Sequence, residues 1–163
     1  MTAGNDLKME ILPIIASHLD AVAEIESLCF SEPWSARALQ LLLGEAAIGA
    51  VAMLEGRVIA YGGMLLAPDE GQVTNIAVHP DFRRRGCARA ILHALYTEAE
   101  RRQLEQIVLE VRVSNAAAIA LYESEGYVAV GRRRAFYRMP TEDALVMQRT
   151  VGGSANGTNT TDV

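Results

Sequence analysis

Between Gln72 and Glu100 the chain reads QVTNIAVHPDFRRRGCARAILHALYTEAE, and no other stretch restricts the fold as strongly. Val73, Ile76 and Val78 form a β-branched run, the pattern of a buried strand. His79-Pro80-Asp81 ends it, because proline has no N–H for a ladder and biases the residue before it to extended backbone. Arg83, Arg84 and Arg85 then precede Gly86. From Ala88 the pattern turns helical, with Ile91, Leu92 and Leu95 on one face and Arg89, His93, Glu98 and Arg101 off it. The unit is therefore strand, tight basic loop, helix. Loop amides and the positive end of the helix dipole converge on one spot, which suits a phosphorylated ligand. Gly86 lets the backbone approach the anion where a β-carbon would obstruct it.

The phosphate loop is not of the G-x-x-x-x-G-K kind, and the dinucleotide fingerprint G-x-G-x-x-G is missing too. Directly after the strand NIAV and the turn HPDF stands R-x-x-G-x-A, from Arg83 through Gly86 to Ala88. This resembles the pyrophosphate motif of the GCN5-related N-acetyltransferases, the GNAT family. A second block, NAAAIALYESEG from Asn115 to Gly126 and completed by Tyr127, resembles that family's other signature, N-x-x-A-x-x-L-Y-x-x-x-G-[FY]. The two stand in the right order along one chain, and the similarity runs from about Ile48 to Val151.

At 163 residues the chain is expected to form one domain over 1–151, with a disordered tail over 152–163 rich in Gly, Ser, Asn and Thr. Half of the residues are hydrophobic, enough for a full core, yet there is no apolar run of membrane-spanning length and MTAGNDLKME has no signal core. A cytoplasmic location is expected. The net charge of −5 argues against general nucleic-acid binding. Basic charge is local, at Arg83–Arg85 and Arg132–Arg134. Cys29 and Cys87 follow no metal or redox spacing and read as space-fillers, although a helix N-terminus can lower the pKa of a thiol at Cys87. No His, Cys and Asp cluster has metal spacing, so no metal is predicted.

Along the chain, Lys8–Ile15 reads as a strand broken at Pro13. Leu19–Phe30 reads as a helix with Val22, Ile25 and Leu28 on its apolar side. After the break SEPWS, Ser35 is the expected N-cap of a helix ending at Gly44. Ile48–Leu54 and Val58–Leu66 are strands joined by Glu55-Gly56-Arg57. Ile107–Val113 is a strand, Asn115–Glu125 a helix with Gly126 at C′, and Tyr127–Gly131 and Ala144–Val151 are two closing strands around a loop, RRRAFYRMPTED. The order of elements implies a mixed α/β sheet. The resemblance implies the GNAT fold: a mixed, mostly antiparallel central sheet flanked by helices, with a splayed strand pair holding acetyl-CoA.

Acetyl transfer to an amine needs a neutral amine, a donor for the oxyanion and a proton for the departing thiolate. An α-amino group titrates at about 7.7–8.0, so a modest base suffices. Glu110 is a carboxylate in the otherwise apolar segment VLEV, a setting that raises a pKa; the same residue also suits a solvent-facing salt bridge. The resemblance gives its position the base role. Tyr122 carries a phenol suited to protonating sulfur, and equally fits as a core tyrosine on an apolar helix face; the resemblance makes it the general acid. Asn115 resembles the residue that hydrogen-bonds the coenzyme, and an N-cap role is compatible with that. The resemblance further implies that Ile76, Ala77 and Val78 present backbone groups to the pantetheine arm, with an oxyanion donor near Val78. Arg83, Arg84, Arg85, Gly86, Cys87 and Ala88 then hold the pyrophosphate. Trp34 and Tyr137 flank the peptide groove, where packing is the competing reading. Ala88 stands where many members have glycine, and the segment Arg138–Asp143 is short for a peptide-shaping loop. His79, in a turn, and His93, on a helix, are not expected to be bases.

Within the family, EPWS, NIAVHPDFRRRG, LEVRVSNAAAIALYESEGY and EDALVM are similar to the branch that acetylates the N-terminal alanine of the eighteenth small-subunit ribosomal protein. The implied partners are acetyl-CoA and that N-terminus, for a monomer or weak dimer. Two other readings share these residues: acetylation of a different amine (lysine, polyamine or drug), and a non-catalytic acyl-CoA-binding module.

Overall fold

The computed structural model describes residues 8–152, so the tail expected over 152–163 lies, apart from Gly152, outside the described residues. The elements are β1 (Glu10–Pro13), α1 (Leu19–Cys29), α2 (Ala36–Leu39) running into a 3-10 turn, β2 (Ala47–Leu54), β3 (Arg57–Leu66), β4 (Glu70–Val78), α3 (Cys87–Arg101), β5 (Gln106–Arg112), α4 (Ala116–Ser124), β6 (Val128–Arg138) and β7 (Thr141–Thr150). The strands make a seven-stranded sheet in the order β1-β2-β3-β4-β5-β7-β6. Pairing is antiparallel for β1–β2, β2–β3, β5–β7 and β6–β7, and parallel for β4–β5. The parallel pairing matches Glu70, Gly71 and Gln72 with Gln106, Ile107 and Val108. None of the described helices is long and apolar enough to cross a membrane.

The chain gathers into two compact units. Among the described residues, one takes those up to Leu65 together with Thr74–Glu98, and the other takes Leu66–Val73 and those from Ala99 to Gly152. In the first unit α1 buries Val22, Ile25 and Glu26, positions i, i+3 and i+4. They pack with Leu39, Val51, Tyr61 and Ala77. Leu28, expected on this face, is instead 50% exposed, while a carboxylate, Glu26, is fully buried within the face. Ser35 caps α2 as its sequence predicts, its Oγ accepting from the Ala38 N–H at 3.1 Å. The β2–β3 turn is Glu55-Gly56, both with positive φ, the backbone that two-residue hairpin turns demand. Gly62 on β3 is a point of close approach: a β-carbon there would lie 2.4 Å from Ile91 Cγ2 and 2.7 Å from Ile76 Cδ1. Gly62→Val is therefore expected to destabilise the protein by about 1–3 kcal/mol through overpacking, read as a lowered thermal midpoint.

In the second unit β5 alternates strictly. Ile107, Leu109 and Val111 are buried, at 1%, 1% and 5% exposure, while Val108, Glu110 and Arg112 take the opposite face. The two closing strands are longer than their sequences imply. The expected loop RRRAFYRMPTED is almost all strand, since β6 runs to Arg138 and β7 starts at Thr141. β6 is an edge strand exposed nearly throughout, so no apolar alternation marks it. Its ladder is irregular between Ala129 and Gly131 and between Arg133 and Tyr137, with Ala135 at φ +50°. Asp143 pins that irregularity, accepting from Arg132 Nε at 2.7 Å and from the Ala135 N–H at 2.8 Å.

Candidate active site

In the first unit, β4 ends at Val78 and a 3-10 turn, Pro80–Phe82, leads into the basic loop. His79 is structural: its Nδ1 accepts from the Asp81 N–H at 3.1 Å and its Nε2 faces Arg57 at 3.3 Å. Arg84 and Gly86 both have positive φ, +64° and +77°, so the loop turns sharply at alternate residues before α3. The first helical bond is Ala90 N–H to Gly86 O at 3.0 Å, so the amides of Cys87 and Ala88 precede the ladder. A β-carbon on Gly86 would meet nothing within 4 Å. The space beside this backbone is open, which fits a diphosphate held by main-chain N–H groups.

Two of the three loop arginines have partners inside the protein. Arg85 and Arg57 sit 5.3 and 5.2 Å from the centre of the Phe82 ring, and Arg83 Nη2 lies 3.7 Å from Cys29 Sγ. The Cys29 thiol in turn donates to Val78 O at 3.3 Å. Cys87 is buried, its Sγ 3.7 Å from Phe82 O, and burial pushes its thiol up further than nearby Arg85 lowers it. Of the β4 residues, Ala77 is buried and Ile76 and Val78 are half-buried.

Sequence reasoning missed the most interior polar group of this unit. Glu26 accepts from the Tyr61 hydroxyl, from Asn75 Nδ2 at 2.7 Å and from the Trp34 backbone N–H at 2.8 Å. Burial first, and the Glu26 charge second, raise the Tyr61 pKa, so the phenol stays protonated and donates. The signal was present: Glu26 lies four residues after Val22, on the buried helix face. Trp34 itself is half-buried against the unit's core.

In the second unit, Glu110 faces away from Leu109 and Val111, so the apolar setting expected from its sequence neighbours is not its setting. Its side chain is 9% exposed, with Arg133 Nε 3.5 Å from Oε1 and Gln72 Nε2 3.4 Å from Oε2. Arg112, two residues on and on the same face, was also missed. It pairs with Glu142 at 3.2 Å and donates to the carbonyls of Met139 and Pro140 at 3.2 and 3.0 Å. Its guanidinium lies 4.3 Å from the Tyr137 ring centre. Tyr137 is thus held on a strand, not in a loop; burial raises its phenol's pKa, the Glu110 charge adds to this, and Arg112 opposes it. Asn115 is the N-cap of α4, its Oδ1 accepting from the Ala118 N–H at 3.2 Å. Tyr122 is 9% exposed on α4, edge-on to Tyr127 with ring centres 5.4 Å apart. No group of three His, Cys, Asp or Glu able to hold a metal occurs among the described residues.

The Acetyltransferase (GNAT) family model matches residues 19–127. The chain is 40% identical over 133 residues to the [ribosomal protein bS18]-alanine N-acetyltransferase of Escherichia coli K12, covering 79% of this chain and 88% of that one. It is 35% identical over 137 residues to the N-alpha-acetyltransferase RimI of Mycobacterium tuberculosis, covering 80% and 85%. The crystal structure of the ribosomal-protein-S18-alanine N-acetyltransferase from Escherichia coli superposes with a TM-score of 0.83 at 34% identity, over 92% of this chain and 98% of that one.

Proposed function

Because the chain belongs to the GNAT family of acetyltransferases, we propose that it transfers the acetyl group of acetyl-CoA to the α-amino group of the N-terminal alanine of ribosomal protein bS18. One observation carries this reading: the similarity to the bS18-alanine enzyme spans 88% of that enzyme's length, leaving no large part of it unmatched.

Acetyl-CoA supplies the activated thioester. The chain's residues do the rest. The main chain from Arg83 to Ala88 holds the diphosphate, with amides ahead of the α3 ladder and the helix dipole behind them. Arg84 adds charge there, while Arg83 and Arg85 brace the loop through Cys29 and Phe82. Backbone groups of Ile76–Val78 pair with the pantetheine arm as an added strand would. Asn115 has its Oδ1 engaged at the α4 cap and offers its amide N–H groups to the coenzyme. Glu110 removes a proton from the incoming ammonium, directly or through a water. The amine then forms the C–N bond as the C–S bond breaks, and Tyr122 gives its proton to the departing sulfur. The second amine proton leaves the new amide and restores the phenol. Trp34 and Tyr137 contact the acceptor peptide.

The test is to mix the protein with acetyl-CoA and a peptide beginning Ala-Arg, and follow free thiol and acetylated peptide. Turnover is expected with this peptide, and not with its N-blocked, lysine-bearing version. Coenzyme binding without turnover on the open peptide would overturn the reading; acetylation of the blocked peptide alone would redirect it to side-chain amines.

A further inference from the structure

Glu26 is a fully buried charged side chain to which the proposed reaction gives no part. Its partners come from three separate elements: Tyr61 from β3, Asn75 from β4, and Trp34 from the segment between α1 and α2. Oε1 accepts from the tyrosine and the asparagine, and Oε2 accepts from the Trp34 N–H. All three partners donate, as an acceptor-only carboxylate requires. Hydrogen bonds to an ionised acceptor are about twice as strong as neutral ones.

The position of these partners matters more than their number. Asn75 immediately precedes Ile76–Val78, the coenzyme-binding run. Trp34 is the peptide-side residue of the same unit. The segment that carries it has Glu32 and Pro33 exposed, so little burial holds its backbone in place. The main-chain N–H of Trp34 is nevertheless fixed, at 2.8 Å, to a carboxylate deep in the core.

We propose that Glu26 is a positioning residue for acceptor selection: it ties the Trp34 backbone to β4 beside the coenzyme-binding run, so that the indole presents one fixed shape to the first residue of the peptide. This rests on the proposed function, in which Trp34 contacts the acceptor. Glutamine at position 26 removes the charge, which weakens the bond to the Trp34 N–H, and its single oxygen can serve Trp34 only if its N–H₂ faces Tyr61 and Asn75 and both turn to accept.

The experiment uses the full chain, acetyl-CoA, and bS18 N-terminal peptides beginning with Ala, Ser or Met. Glu26→Gln is expected to raise KM for the Ala peptide about tenfold, the scale of one lost charge-assisted bond. It should also narrow the preference among the three peptides, while KM for acetyl-CoA stays within about twofold. Tyr61→Phe and Asn75→Ala, which leave the Trp34 link in place, are expected to change the peptide KM by about threefold at most. Trp34→Ala should itself raise the peptide KM, and combining it with Glu26→Gln should add little, because both act through the indole. If Glu26→Gln lowers the thermal midpoint yet leaves peptide KM and preference unchanged, or raises both KM values equally, the residue is merely structural and the proposal fails. Should Glu26→Gln not fold, Glu26→Asp carries the test: it keeps the charge but draws the carboxylate back from the Trp34 N–H, and an unchanged peptide KM and preference would overturn the proposal. A Trp34→Ala variant with unchanged peptide KM removes the premise and the inference together. An effect of Trp34→Ala without one of Glu26→Gln removes the inference alone. A wild-type protein that acetylates none of the peptides fails the functional reading itself.

Discussion

Tyr122→Phe is expected to lower kcat by about 10²- to 10³-fold while leaving acetyl-CoA affinity within about twofold. The expected size is that of a lost general acid. A thiolate departing without a proton is a poor leaving group beside a newly formed ammonium, and the phenol's ordinary pKa of about 10 lies close to that of a thiol. Phenylalanine keeps the ring, and the ring is what α4 buries: Tyr122 is 9% exposed and packs edge-on against Tyr127 at 5.4 Å. Loss of the hydroxyl therefore removes the proposed proton donor with a stability change of about 1 kcal/mol, whereas alanine would also open a cavity. Single-turnover thiol release at saturating peptide measures the step, and titration calorimetry measures coenzyme binding. Equal losses in kcat and coenzyme affinity would mean that Tyr122 shapes the binding surface and transfers no proton.

The parts of the fold that were legible are those whose determinants are local. The strand–loop–helix unit shows itself through Pro80, Gly86 and a helical apolar period. α4 shows itself through Asn115 at its N-cap and Gly126 at φ +88° beyond its end. β6 was not legible past Gly131. RRRAFYR has no alternation because an exposed edge strand has no buried face to encode. Its conformation is set from β7, through Asp143 on Arg132 and on the Ala135 N–H, and from β5, through Arg112 on the turn carbonyls. Those partners are known only once the strands are paired.

The same limit applies to the site. Glu110 and Tyr122 are singled out by the resemblance over LEVRVSNAAAIALYESEGY, but the surroundings of Glu110 are not in that stretch. Sequence neighbours on a strand point to opposite faces, so Leu109 and Val111 say nothing of what the carboxylate meets. Its actual neighbours, Arg133 and Gln72, come from β6 and β4. Glu26 shows the converse. A glutamate on a helix reads as solvated, and its partners Tyr61 and Asn75 lie 35 and 49 residues away in the chain. A carboxylate at a buried helical position is a visible anomaly, and pairing it with distant donors is what makes it tolerable.

Glu110→Gln is expected to lower kcat/KM by about 10²-fold at pH 7, within the range for a positioned base. The deficit should shrink as pH rises. At pH 7 most of an α-amino group with a pKa of about 7.7–8.0 is protonated, and the base must remove that proton before attack. Above about pH 9 solvent has already removed it, so a variant without the base regains most of what it lost. The sign is fixed by the amine: the ratio of wild-type to variant activity falls with increasing pH and never rises. Arg133 at 3.5 Å and Gln72 at 3.4 Å both face the carboxylate and fix its orientation. Glutamine retains the shape and one acceptor for those neighbours, so the fold should survive. Arg133→Ala supplies the internal control. The guanidinium is 58% exposed and its pairing with Glu110 is screened, so its removal should change activity by about threefold or less. Rates measured from about pH 6.5 to 9.5 with an Ala-started bS18 peptide separate the alternatives. A ratio that stays flat across that range would mean that Glu110 orients the peptide ammonium and leaves its deprotonation to solvent.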